Sequence, residues 1–175
     1  KVDCTLNYDV EFSTMTAAFE GGVGDYCTMF EPVASEYQKK GKGFIVASVG
    51  QESGEIPYTC FAAKESYIKN NPEKIDGLLR AVTRAVKYVN ETDSDTVAEL
   101  LVPYFTGTGK ESLKDSVDSY KSIDAWVTNM AMKESAFNKL QDVIELAGEL
   151  EKRVDFSSLV VTEQADRIYK EVYAK

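Results

Sequence analysis

One stretch of the sequence, TMTAAFEGGVGDYCTMFEPVASEY at residues 14–37, constrains the fold more than any other. It predicts a short helix, a pair of glycines that can close this helix in the left-handed conformation, and an apolar strand over residues 23–29. A second helix follows, and Pro32 suits its first position because the missing N–H costs nothing there. In open α/β sheets, small ligands bind at the carboxyl ends of strands, near helix N-termini. The stretch therefore predicts an α/β fold with a binding position around Phe30 and Glu31.

Three further segments have strand patterns. Residues 2–12 alternate apolar and polar side chains without a break, and FIVASV at residues 44–49 and YTCFAA at residues 58–63 are short runs rich in strand formers. From residue 64 onward the pattern is predominantly helical, with apolar stripes and caps such as Asn71-Pro72 before a long helix. The sequence thus indicates a strand-rich first part and a helix-rich second part.

Five residues are candidate ligand contacts. Ser13 is predicted to cap a helix that begins at Thr14, and its hydroxyl and the free amides behind it, up to Met15, lie at the carboxyl end of a strand. Glu31 suits the start of a helix because a carboxylate is favourable near the positive end of the helix dipole. Its carboxylate could instead contact a ligand or hold the turn. Tyr58 could stack on a planar ligand, although a strand tyrosine is more often part of a core.

Composition argues against several classes of function. With 20 basic and 29 acidic residues, the net charge of −9 argues against nucleic acid, because neutralising phosphates requires a basic face. The chain has no histidine, which removes the usual general base and the commonest metal ligand. TGTGK at residues 106–110 lacks the first glycine and the final Ser or Thr of a phosphate loop. We therefore predict no catalytic residue, no metal site and no cofactor.

The three cysteines, Cys4, Cys27 and Cys60, all fall in predicted strands and form no Cys-x-x-Cys pair. We interpret them as buried thiols that act as small apolar side chains. One disulfide with a leftover thiol stays open, since sequence alone does not decide pairing.

The stretch AAFEGGVGDYCTMFEPVASEYQKKGKG is similar to the corresponding region of solute-binding proteins that serve ABC importers, of the nitrate, sulfonate, taurine and thiamine-precursor class. NPEKIDGLLRAVTRAVKYVNE at residues 71–91 and VDFSSLVVTEQADRIYK at residues 154–170 resemble later parts of the same family. The chain resembles the C-terminal half of such a protein. The resemblance implies a periplasmic-binding-protein-like (type II) α/β lobe with a helix-rich C-terminal portion.

The resemblance also implies a division of the chain. Residues 1–52 would belong to the second ligand-binding lobe, residues 53–63 would form the hinge, and residues 64–175 would return to the first lobe. Ligand would be held in an interlobe cleft by helix N-terminal amides and hydroxyls of residues 13–15 together with Glu31. The absence of arginine from these loops favours a neutral or amine-bearing solute over an oxyanion.

The expected partners are a small-molecule ligand and, through the full-length protein, an ABC permease in the membrane. The resemblance places the protein outside the cytoplasm, either periplasmic or membrane-anchored on the outer side. Two other functions stay open: an extracytoplasmic sensor module of the same fold, and an α/β enzyme of unknown chemistry. A homo-oligomer also stays open if these residues stand alone, because half a sheet with exposed edges can pair with a second chain.

Overall fold

The computed structural model describes residues 4–174 and is helix-rich, with 58% of the residues in helices. Two 3-10 turns are described, at Phe12–Thr14 and Val102–Tyr104. The α-helices of the described residues are α1 Met15–Glu20, α2 Val33–Lys39, α3 Val49–Ser53, α4 Glu65–Asn70, α5 Pro72–Glu91, α6 Ser94–Leu101, α7 Lys110–Ser122, α8 Glu134–Leu146, α9 Phe156–Leu159 and α10 Glu163–Tyr173.

The long helix α5 packs against α10. Pro72 occupies the first position of α5, where its missing N–H is not needed. Ile168 on α10 is fully buried. Two ion pairs also join the helices, Arg80–Glu171 at 2.7 Å and Arg167–Asp76 at 2.7 Å. Both pairs are partly exposed to solvent, so the buried apolar contact contributes more to stability than they do.

A second helix pair, α6 and α7, holds most of the remaining core. The side-chain oxygen of Asp93 caps α6 by accepting a hydrogen bond from the Thr96 amide at 2.9 Å. The most buried apolar side chains of the two helices are Val97, Ala98, Leu113 and Val117. Helix α2 joins this pair through the Lys39–Asp115 ion pair at 2.7 Å. The helix-rich C-terminal portion expected from the sequence is thus confirmed.

The strands expected from the sequence are not formed within residues 4–174. Where strands were predicted, the chain has no regular secondary structure at residues 4–11, 23–30, 43–48 and 56–64, which we call the four irregular segments. Residues 2 and 3 of the first predicted strand lie outside the described residues. A strand exists only beside a hydrogen-bonded neighbour, and no backbone hydrogen bond joins one of these segments to another in the described chain. The α/β part of the predicted fold is therefore not confirmed.

The interpretation of the cysteines as buried is wrong for two of the three. All three are free, Cys4 and Cys60 are exposed, and only Cys27 is partly covered. The reason is the same as for the strands. Cys4 and Cys60 lie in irregular segments that have no neighbouring layer over them.

Candidate functional site

An aromatic cluster brings together three positions that are distant in sequence. The ring of Phe12 meets that of Phe30 edge-on at 5.7 Å, and Phe30 meets the ring of Tyr58 at 5.3 Å. The three residues are 69%, 44% and 77% exposed, so their faces are open to solvent. We call this cluster the aromatic corner. It places the turn after Phe12, the turn after Phe30 and Tyr58 side by side.

The first turn of the corner differs in detail from the prediction. A 3-10 turn covers Phe12–Thr14, and Thr14, not Ser13, is the residue that precedes helix α1. The Thr14 hydroxyl donates to the Glu11 carbonyl at 3.0 Å, and Ser13 is exposed in the middle of the turn. The prediction of Ser13 as the cap is therefore wrong, because a 3-10 turn forms first at Phe12–Thr14 and the α-helix begins at Met15, one residue later than predicted. Met15 is the first residue of α1 and is half-buried.

The second turn is held by Glu31. Its two carboxylate oxygens accept hydrogen bonds from the Ser35 amide and the Ser35 hydroxyl, each at 2.9 Å. These bonds satisfy an otherwise unpaired amide at the start of α2 and place negative charge at the positive end of the helix. Glu31 therefore holds the turn. Each oxygen keeps a further lone pair that a ligand could use.

Tyr120 of α7 links the aromatic corner to the helical core. The hydroxyl of Tyr120 accepts a hydrogen bond from the Glu31 amide at 3.3 Å, across 89 positions of sequence. The Tyr120 ring packs edge-on against Trp126 at 5.5 Å. Burial raises the pKa of Tyr120, and the Glu31 N–H bond opposes that effect only in part. The phenol is thus protonated at neutral pH and ties the corner to the helical core. Its apolar-stripe position on the helix indicates burial, but nothing in the sequence links it to Glu31.

Helix α3 is a feature that the sequence interpretation missed, since a strand followed by a loop was expected there. The Ser48 hydroxyl accepts from the Gln51 amide at 3.3 Å and so caps the helix. The pattern Ser-x-x-Gln at residues 48–51 is the signal that could have identified it. Gly50 lies so close to Ile123 that an added Cβ would be 3.2 Å from the Ile123 side chain. This contact holds the chain near the end of α7 before it reaches Tyr58.

Two surface grooves lie elsewhere. One, of about 410 Å³, is lined by Tyr88, Thr96, Glu99, Leu100, Pro103 and Tyr104. The other, of about 380 Å³, is lined by residues of α9, the start of α10 and the turn between them. Neither contains a predicted site residue.

Over residues 4–174 no group of three or more Cys, Asp or Glu side chains is placed to hold a metal ion. Within the same range no helix has the length and apolar content needed to cross a bilayer.

The helices of the described chain agree with the helix-rich portion expected from the resemblance, whereas the strands of a periplasmic-binding-protein-like lobe are not formed in the described residues. The chain belongs to the NMT1-like family, whose sequence pattern matches residues 5–102. It is also 33% identical over 169 residues to a Bacillus subtilis (strain 168) protein named "Putative binding protein YtlA". That match covers 97% of this chain and 51% of the relative, so the chain spans about half the length of YtlA. No solved structure matches the chain. The expected family membership is confirmed.

Proposed function

We propose that the chain contributes a small-solute binding surface, without catalysis, at the aromatic corner. The observation that carries this proposal is the contact of Phe30 with both Phe12 and Tyr58 at 5.7 and 5.3 Å. Exposed aromatic faces are costly to leave in water, and a planar guest would cover them. Membership of the NMT1-like family and the word "binding" in the name of the relative YtlA support the same role.

The chemistry around the corner favours a planar solute that is neutral or bears an amine. The aromatic faces offer stacking, and the ring face also attracts a cationic or N–H edge. The exposed Ser13 hydroxyl can donate or accept a hydrogen bond. The free lone pairs of Glu31 accept from N–H groups and repel oxyanions. Among the solutes expected of the family, an aminopyrimidine fits this description better than nitrate, taurine or a sulfonate.

In the cell, the proposed role is solute capture for ABC-type import outside the cytoplasm, with delivery to a membrane permease. Family membership and the word "binding" in the name of YtlA support solute capture, and the import route is what the resemblance to proteins of ABC importers implies. The hinge at residues 53–63 remains part of the proposal. Gly54 in that segment has a φ of 66°, a conformation that glycine adopts without strain.

The test is a thermal-shift and calorimetric titration of the 175-residue chain with an aminopyrimidine, taurine, an alkanesulfonate and nitrate. A solute at 100 times its Kd stabilises the folded chain by about 2.7 kcal/mol. We expect stabilisation by the aminopyrimidine, and we expect Tyr58→Ala to weaken its binding ~5-fold or more through lost stacking. Tyr104→Ala is the matched control, since Tyr104 is 78% exposed and lies outside the corner. Stabilisation by none of the solutes, or equal losses in both variants, would contradict the proposal.

A further inference from the structure

The hydroxyl of Tyr120 uses only part of its capacity for hydrogen bonds. A phenol can donate one hydrogen bond and can also accept. The Tyr120 oxygen accepts from the Glu31 amide at 3.3 Å. Within residues 4–174, however, its O–H donates to no protein acceptor. The contacts of Tyr120 described so far therefore leave a hydrogen-bond donor unused.

The contacts of Tyr120 also orient this donor. The hydroxyl hydrogen must point away from the Glu31 N–H, because two hydrogens cannot lie between the same nitrogen and oxygen atoms. The ring itself is held edge-on against Trp126, with the two centroids 5.5 Å apart. A donor whose ring and oxygen are both held loses little conformational freedom when an acceptor binds to it.

The unused donor lies at the aromatic corner. The Glu31 amide that contacts Tyr120 follows directly after Phe30, whose ring meets the ring of Tyr58 at 5.3 Å. Burial raises the pKa of Tyr120 most, and the hydrogen bond from the Glu31 amide lowers it. The Glu31 carboxylate and the Tyr58 phenol raise this pKa further, which places both groups near the Tyr120 hydroxyl. The phenol thus keeps its proton beside two groups of the corner.

We propose that Tyr120 determines specificity at the aromatic corner by donating its hydroxyl hydrogen to an acceptor atom of the solute, an inference that rests on the proposed function. The neighbouring Glu31 carboxylate accepts from an N–H group, so the two side chains offer opposite halves of a hydrogen-bonding pair. A solute satisfies both when it has an acceptor next to an N–H group on a planar ring. A ring nitrogen beside the carbon that bears an amine has this arrangement.

The same arrangement disfavours planar amines that have no ring nitrogen. Such a solute can stack on Phe30 and Tyr58, but it removes water from the Tyr120 O–H without accepting a hydrogen bond from it. A polar group that loses water and finds no partner weakens binding. One neutral hydrogen bond changes a dissociation constant by about 5-fold. Tyr120 therefore contributes to the choice among solutes rather than to the stacking that all of them share.

The test compares 4-aminopyrimidine with aniline in calorimetric titrations of the parent chain and of Tyr120→Phe. Both solutes are six-membered planar rings with one amine, and only 4-aminopyrimidine has a ring nitrogen next to the carbon that bears the amine. The variant keeps the ring that packs on Trp126 and loses only the hydroxyl. We expect the variant to bind 4-aminopyrimidine ~5-fold more weakly or worse, and to bind aniline within ~2-fold of the parent.

The ratio of the two affinities separates contact with the solute from support of the fold. If the hydroxyl only holds the Glu31 amide in place, its removal moves the whole corner and weakens both solutes alike. Tyr173→Phe is the matched control, because it removes a buried hydroxyl of α10 that has no hydrogen-bond partner among the described residues. We expect this control to leave both affinities within ~2-fold of the parent, and circular dichroism to show that both variants are folded.

The possible failures of the inference and of the proposed function are distinguishable. Equal losses for the two solutes in Tyr120→Phe, or no loss for either, would overturn the role of Tyr120 and leave the proposed function intact. The same applies if Tyr173→Phe changes the ratio of affinities as much as Tyr120→Phe does. Absence of binding of both solutes to the parent chain would overturn the inference and the proposed function together.

Discussion

Replacing Glu31 by alanine tests whether its carboxylate holds the aromatic corner. In the parent chain the two oxygens accept from the amide and the hydroxyl of Ser35, each at 2.9 Å, and Ser35 is buried. Losing a side-chain acceptor at a helix start costs about 1 kcal/mol. Losing the favourable charge near the helix N-terminus adds about 0.3–1 kcal/mol. We therefore expect the free energy of unfolding to fall by about 1.5 kcal/mol.

Urea unfolding followed by circular dichroism measures this change. With a denaturant slope of about 2 kcal/mol/M, the midpoint of Glu31→Ala should fall by about 0.7 M. Glu31→Gln keeps one oxygen acceptor and should lose about half as much. The control is Glu91→Ala, which removes the same side chain from a surface pair with Lys87 at 2.8 Å. Its effect should stay within about 0.5 kcal/mol.

The result that would refute this role is a midpoint for Glu31→Ala equal to that of the Glu91→Ala control. A double-mutant cycle with Ser35→Ala adds an independent reading. If the two side chains interact as the distances indicate, their effects are not additive and the coupling is about 0.5–1 kcal/mol. Additive losses would mean that Glu31 acts on the corner in another way.

Three further predictions concern the buried core, the loss of stability at acidic pH and the reactivity of the thiols. Because Ile168 is fully buried, Ile168→Ala should lower the free energy of unfolding, measured in urea, by about 2–4 kcal/mol and Ile168→Val by about 1 kcal/mol. Equal losses in the two variants would contradict a packed site. The hydrogen bond from the Arg167 guanidinium lowers the pKa of Asp76. The ionised Asp76 carboxylate therefore stabilises the folded chain at neutral pH, and this contribution is lost as the pH falls through the lowered pKa. Asp76→Asn should therefore flatten the acid side of a pH–stability curve, and an unchanged curve would refute the pairing. Burial raises the pKa of the Cys27 thiol, so iodoacetamide should modify it more slowly than Cys60, as followed by mass spectrometry; equal rates would contradict this.

The helices could be predicted from the sequence because their signals are local. Asn71 and Pro72 mark the start of α5, as expected. The cap of α3 at Ser48 is just as local and was overlooked because the apolar run before it favours a strand. The cap of α1 was predicted at Ser13 but lies at Thr14, and a difference of one residue is usual for helix boundaries.

The strands and the details of the corner could not be predicted for a different reason. A strand pattern indicates that a segment can form a strand. Whether it does depends on a neighbouring strand, which the sequence of the segment alone does not identify. The bond from the Glu31 amide to Tyr120 likewise joins residues 89 positions apart. Local patterns do place Phe12, Phe30 and Tyr58 at the ends of or within predicted strands. The rule that strand ends and helix starts share one edge predicts only that the turns after residues 12 and 29 lie close together, and it does not predict the contact of Phe30 with Tyr58.

The corner keeps its shape even though the strands beside it are not formed, and the contacts explain why. Phe30 and Glu31 are held by helices on both sides: Glu31 bonds to Ser35 at the start of α2, and its amide bonds to Tyr120 of α7. Helix α2 is in turn tied to α7 by the Lys39–Asp115 pair. The position of Phe30 and Glu31 therefore depends on the helical core. Tyr58 belongs to the irregular segment at residues 56–64 and meets the corner through the contact of its ring with Phe30 at 5.3 Å.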